Sequence, residues 1–176
     1  MSPVSEILQS AGARQFFEYW NGLPKVGLVP DRGTFNPPAI HRLMPSVTIL
    51  EVVPPDRVEM RLIGTDLVAR MGTDPTGKNY LDSIAPAARL PYLEMLNHQV
   101  NHPCGRQSVL HTHEASGILS RVEVLFLPMT HRLSGHPLIL SYFGPTESVS
   151  FDGRDYREVQ SFEDVRWIDI GAGIPA

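Results

Sequence analysis

The chain of 176 residues holds a single cysteine, Cys104, so no disulfide can close within it. That usage fits a reducing compartment, and the chain is read as cytoplasmic. No apolar run approaches the roughly 18 residues of a membrane-spanning helix. Met1–Ser10 has no basic stretch leading into an apolar one, so a signal peptide is not expected. Positive charge is not in excess: 15 Lys and Arg stand against 19 Asp and Glu, a net charge of −4. That removes the electrostatic footprint of a nucleic-acid or anionic-membrane binder. Long like-charge blocks, internal repeats and low-complexity tracts are also missing. The 42% of hydrophobic residues is enough for the core of one folded domain.

The charge is unevenly distributed. Residues 147–176 hold seven acids and three bases and so carry the whole net −4, while residues 1–146 balance. The chain reads as a neutral body, 1–146, followed by an acidic C-terminal arm, 147–176. Trp167, Ile168 and Ile170 suggest that the arm docks somewhere.

Within the body, residues 5–21 read as one amphipathic helix with Ser5 as cap. Leu8, Gly12, Phe16 and Trp20 form an apolar stripe along it. Residues 22–37 are a turn-rich loop, after which Asn36 and Pro37 open a short helix. Ser46–Val53 and Arg57–Ile63 read as a hairpin. The second strand puts Val58, Met60 and Leu62 on one face and Arg57, Glu59 and Arg61 on the other. Thr65 caps a short helix, Asp66–Met71, which Gly72 ends. A longer helix covers Pro86–His102, with Leu90, Leu93, Leu96 and Val100 as its buried stripe, flanked by Tyr92, Met95 and Gln99. Strands follow at Arg106–Glu114, Leu119–His131 and Pro137–Gly144. This order is an α+β plan with one five-stranded antiparallel sheet and helices between its second and third strands. The N-terminal stripe is left to cover the other sheet face or to meet a second subunit.

Gly64-Thr65-Asp66-Leu67-Val68-Ala69-Arg70-Met71-Gly72 resembles the turn from second strand to first short helix in a PAS domain. Gly77-Lys78-Asn79-Tyr80-Leu81 resembles the segment that follows it. More narrowly, the chain is similar to a family of stand-alone alphaproteobacterial PAS-like proteins, on three stretches in order. These are Pro30 to Pro45 with Arg32, Phe35, Asn36, Pro37, Ile40 and Leu43; Arg61–Thr65 leading to Gly72, Asp74 and Gly77; and Glu123–Met129. The resemblance covers about residues 15–146 and implies a sensor or interaction module. In such modules a small ligand lies between sheet and helices, or a partner pairs through the outer sheet face. It brings no catalytic residues.

Met60, Leu62, Met71, Tyr92, Met95, Leu96 and Gln99 are the residues expected to line a sheet–helix cavity. The plainer reading is that they fill the core. His98 with His102, and His111 with His113, share faces near Cys104, and imidazole and thiolate can ligate metal. Neither pair has a metalloprotease spacing or a cysteine pair, so solvated or helix-end histidines are the better reading, and haem or metal is set aside. Arg32, Phe35 and Asn36 are read as structural, Asn36 as a cap, Phe35 as a staple and Arg32 bonding nearby carbonyls, in preference to a ligand role in which arginine would recognise a carboxylate. Arg61 and Glu123 are read as a cross-strand pair or as simply exposed. Gly77-Lys78 ends in Asn79 and is not a phosphate loop.

The expected function is therefore non-enzymatic sensing or signal relay. The module is expected to be a homodimer that acts on a signalling protein in trans. Two alternatives stand beside it: an interaction module without ligand, and an isomerase or hydratase that would use a carboxylate or tyrosine of shifted pKa, with Glu123 and Tyr92 as the residues to test.

Overall fold

The computed structural model describes residues 4–151 and 159–175. Of the arm's charged residues, Asp152, Arg154, Asp155, Arg157 and Glu158 lie outside the described residues.

The expected N-terminal helix is two helices, α1 (Val4–Ile7) and α2 (Ala11–Gly22). Ser10, not Ser5, is the cap of the longer one: its backbone is extended and its Oγ accepts from Ala13 N–H. The break at Gln9-Ser10 is held from the sheet, where the two carboxylate oxygens of Glu123 accept the Gln9 and Ser10 N–H groups at 2.7 and 2.9 Å. Residues 22–37 carry a small hairpin, β1 (Lys25–Val26) and β2 (Val29–Pro30), then 3₁₀ turns at Arg32–Thr34, Pro37–Ile40 and Met44–Ser46. Asn36 does not cap with its side chain. Its backbone N–H donates to Tyr19 Oη at 2.7 Å instead.

The main sheet has six strands rather than five. They are β3 (Val47–Val53), β4 (Arg57–Ile63), β5 (Gly105–His113), β6 (Ile118–Met129), β7 (Leu138–Phe151) and β8 (Val159–Ile168). Their order is β4-β3-β7-β6-β5-β8, antiparallel throughout. The boundary at 146/147 falls inside β7, and β8, from the acidic segment, is the sixth strand, paired along β5. An open β5 edge would expose unpaired N–H and C=O groups, and β8 satisfies them. At the opposite edge, Met60 N–H donates to Lys78 O and Gly77 N–H to Met60 O, so the Gly77-Lys78 turn shields β4.

Helices cover both faces. On one lie α3 (Thr65–Met71), a 3₁₀ turn at Tyr80–Ser83 and α4 (Pro86–Asn101), over Leu50, Met60, Leu110, Val124 and Phe126. On the other lies α2, whose Ala13, Phe16 and Trp20 are wholly buried against Leu125, Leu127, Leu140 and Tyr142. The apolar stripe of α2 is thus covered within the chain and needs no second copy.

Two side-chain phases differ from the sequence reading. In β4, Leu50 pairs with Met60 while Ile49 pairs with Leu62, so Arg61 is the extra residue of a bulge. Alternation restarts after it: Leu62 packs on the α2 side and Ile63 joins Met60 on the helix side. In α4 the buried residues are Tyr92, Leu96 and Gln99, and Leu90 is 65% exposed. The sheet beneath α4 presents Arg106 and Ser108 as well as apolar groups, so a mixed stripe of α4 faces it.

Gly64, not Thr65, is the N-cap of α3. It carries no side chain because the chain crosses the Met44–Ser46 turn there: a Cβ would stand 2.2 Å from Pro45 O and 2.5 Å from Met44 O. Both obstacles are backbone. Gly64→Ala is expected to lose about 1–3 kcal/mol of stability in urea denaturation. An unchanged midpoint would mean that the turn yields freely.

Candidate functional site

Between α3, the Tyr80–Ser83 turn and the sheet lies a cavity of ≈ 80 Å³. Leu50, Met60, Ile63 and Val122 form its sheet wall, and Leu67 and Met71 its α3 wall. Phe143 and Val159 close it from β7 and β8. The polar groups on it are few: Thr48, Arg70, Tyr80, Ser83 and the end of β5 at Thr112–Glu114. A groove outside shares Met60, Met71 and Ser83 with the cavity and carries Arg57, Lys78 and Asp82 on its rim.

Of the seven residues expected to line such a cavity, Met60 and Met71 do so. Leu62 is on the opposite face of the sheet, because of the bulge at Arg61. Tyr92, Leu96, Met95 and Gln99 form a layer behind it, under α4. There Gln99 Nε2 donates to Cys104 O at 3.1 Å and Phe126 O at 2.8 Å. Tyr92 packs on Tyr80 with ring centres 5.4 Å apart and stacks on Phe162 of β8 at 5.0 Å.

This layer holds a residue the sequence reading passed over. Arg106, near the start of β5, is fully buried. Its guanidinium lies 4.1 Å from the Phe126 ring centre and 5.5 Å from that of Tyr92. Nη1 is 3.4 Å from Met95 Sδ and 3.4 Å from Ser108 Oγ. Nε and Nη2 have no hydrogen-bond partner among the described residues, and neither do the Tyr80 and Tyr92 hydroxyls. Burial lowers the Arg106 pKa from an ordinary value of 12.5, yet a guanidinium starting there keeps its charge. A buried charge without a counter-ion costs on the order of several kcal/mol, only partly offset by the two aromatic faces. Burial also raises both phenols, Tyr92 to about 12, so they remain protonated and can donate. The signal was present in the sequence: with period 2, Arg106 falls in phase with Ser108 and Leu110, a charge on an inward face.

The remaining candidates separate cleanly. Glu123 faces α2, across the sheet from the cavity, and holds Gln9 and Ser10; Arg61 pairs with Glu51 and Glu59 instead. Neither Glu123 nor the protonated Tyr92 is placed as a base toward the cavity. Arg32 stacks on Phe35 at 5.0 Å rather than bonding carbonyls with its side chain. His98 is exposed, whereas His113 is buried at the cavity wall, contrary to the solvated reading of the histidines. Among the described residues no cluster of three or more His, Cys, Asp or Glu is placed to hold a metal ion. Burial raises the Cys104 thiol to about 11, which suits a packing residue rather than a nucleophile. Among the described residues no helix is long and apolar enough to cross a membrane.

Among curated proteins none matches the chain. A family model described as the PAS domain matches residues 8–143, which takes in α2, the helices of the cavity face and five of the six sheet strands, β7 up to Phe143. Such domains are sensory or interaction modules. An antiparallel sheet with its helices inserted between β4 and β5, and a match over most of the sequence, lead to one assignment: this chain belongs to the PAS domain family.

Proposed function

We propose that the chain is a non-enzymatic ligand sensor whose cavity between α3, the Tyr80–Ser83 turn and the sheet takes a small molecule. The observation that carries this reading is the cavity itself: apolar walls, a few convergent polar groups and an adjoining groove at Met60, Met71 and Ser83. The cavity wall includes α3 and the Tyr80 turn, and Tyr80 packs on Tyr92 of α4. A bound molecule would therefore bias how these helices sit on the sheet, and a partner protein in trans would read that change. A homodimer would pair through a surface other than the α2 stripe, which is already buried.

Native mass spectrometry of the purified full chain, compared with its denatured mass, tests both points. A stoichiometric mass excess lost on denaturation is the expected result, and its value identifies the ligand class. A bare chain whose melting temperature no metabolite pool shifts would instead favour an interaction module with a filled core. The native mass also decides between monomer and dimer.

A further inference from the structure

Arg106 is held by one corner and one face, and its remaining edge is unsatisfied. Nη1 touches Met95 and Ser108, and the ring of Phe126 lies against the guanidinium plane. Nε and Nη2, the two nitrogens without a partner among the described residues, sit on the same side of the group. Their N–H bonds run parallel, at the spacing of the two oxygens of a carboxylate. Two further donors without partners among the described residues, the hydroxyls of Tyr80 and Tyr92, belong to the same layer. Tyr80 is shared, since it is a wall of the cavity and also a neighbour of Tyr92.

We propose that this layer is an anion-recognition site, in which the lateral edge of Arg106 takes the carboxylate of a small organic acid. Tyr80 and Tyr92 are the supporting donors, and the acid's apolar part lies in the cavity against Leu50, Met60, Met71 and Phe143. The inference rests on the ligand-sensor reading and names its ligand class. A carboxylate fits better than a phosphate. The open edge offers one bidentate contact, no second Lys or Arg stands beside it among the described residues, and the cavity walls are mostly apolar. The basic groups near the entrance, Arg70, Arg57 and Lys78, favour entry of an anion; the opposing charges are Asp82 on the rim and Glu114 on the cavity wall, whose carboxylate accepts from Ser120 Oγ at 2.6 Å. Arg106 does not itself line the cavity: Tyr80 does, Tyr80 packs on Tyr92, and the Tyr92 ring centre lies 5.5 Å from the guanidinium. The acid must turn the Tyr80 ring to reach the guanidinium, which links occupancy to the Tyr80–Ser83 turn and to α4.

The test uses hexanoate and its uncharged counterpart hexanamide on the full chain, followed by calorimetry and thermal melting. Hexanoate is expected to bind and raise the melting temperature, and hexanamide to bind at least about tenfold more weakly. Arg106→Met should weaken hexanoate binding about 100-fold while raising the melting temperature of the ligand-free protein, since it removes a buried charge that has no counter-ion among the described residues. A residue with a merely structural role would not give that opposite pair of effects. Tyr92→Phe should weaken hexanoate several-fold with the fold kept. Equal binding of acid and amide overturns the anion site but leaves the sensor reading standing, and this comparison needs no variant. Undiminished hexanoate binding by Arg106→Met does the same. If no straight-chain acid from acetate to octanoate binds and no acid co-purifies, the anion site also fails; the sensor reading then survives only if a neutral molecule is found bound.

Discussion

Trp20→Ala is expected to lower the unfolding free energy by about 3–5 kcal/mol, the range for removing a fully buried large aromatic side chain. Trp20 is wholly buried between α2 and the sheet, and its Nε1–H donates to Pro128 O at 3.0 Å. The substitution removes the ring from between Phe17 and the sheet, where little can collapse into the space. It also leaves a buried carbonyl on β6 without its donor. Urea denaturation gives the magnitude. Hydrogen exchange gives the location: amides of α2 should lose protection first, while those of α4, on the other face, should follow only the global change. Leu133→Ala is the control, because Leu133 is 94% exposed and should change stability by less than about 0.5 kcal/mol. A loss under about 1 kcal/mol for Trp20→Ala would mean that α2 is only loosely attached, and that the outer sheet face is open to a partner.

That face bears on how the module could signal. The resemblance to PAS domains allowed pairing through the outer sheet, and here α2 occupies it. Three contacts hold α2 there: the Trp20 bond to β6, the Phe16–Tyr142 ring pair at 5.5 Å, and the Glu123 carboxylate at the start of the helix. Gly12 allows the close approach, since a Cβ there would stand 2.0 Å from Tyr142 Oη.

What could be read in the sequence, and what could not, divides by the range of the interaction responsible. β3 and β4 were legible because β-branched and apolar residues alternate between turn signals, and α3 because Gly64 and Gly72 bracket it. The bulge at Arg61 was not, since it arises from the register with β3 and from the bonds that draw Arg61 to Glu51 and Glu59. The phase of α4 is set in a related way, by the sheet rather than by the helix's own pattern. Leu90 and Tyr92 compete for the buried side, and the sheet decides in favour of Tyr92, Leu96 and Gln99. β8 was hidden because Val159–Ile168 mixes acids with apolar residues, as an edge strand does. Its place follows from the β5 edge rather than from its own pattern. The role of Glu123 depends on backbone groups 113 and 114 residues away. The cavity was legible only in part: Met60 follows from its strand face and Met71 from its place at the end of α3, but the bulge turns Leu62 away, and Tyr92, Met95, Leu96 and Gln99 of α4 do not line it. Arg106 is the second residue of β5, and a charge so close to a strand end gives little sign in the sequence, beyond its phase, that it faces inward.

Acid should destabilise the fold through Glu51. Its carboxylate is fully buried between the Arg61 guanidinium and His136, whose Nδ1 lies 3.0 Å from Oε1. Burial alone would raise its pKa. Hydrogen bonds from Ser134, Arg61 and His136, with the charge of Arg61, outweigh that and hold it near 2 against an ordinary 4.5. A folded-state value below the unfolded one means that the unfolded chain binds the proton more readily. The stabilisation is therefore complete above the unfolded pKa and drains away as pH falls through the folded one. The difference corresponds to about 3 kcal/mol, lost between about pH 5 and pH 2. Urea titrations across that interval should show this slope in the wild type. Glu51→Gln keeps the volume and removes the titration, so its stability should be lower near neutrality and flatter toward acid. Parallel curves for the two proteins would show that other carboxylates set the acid limb and that the Glu51 cluster holds its charge at no gain in stability.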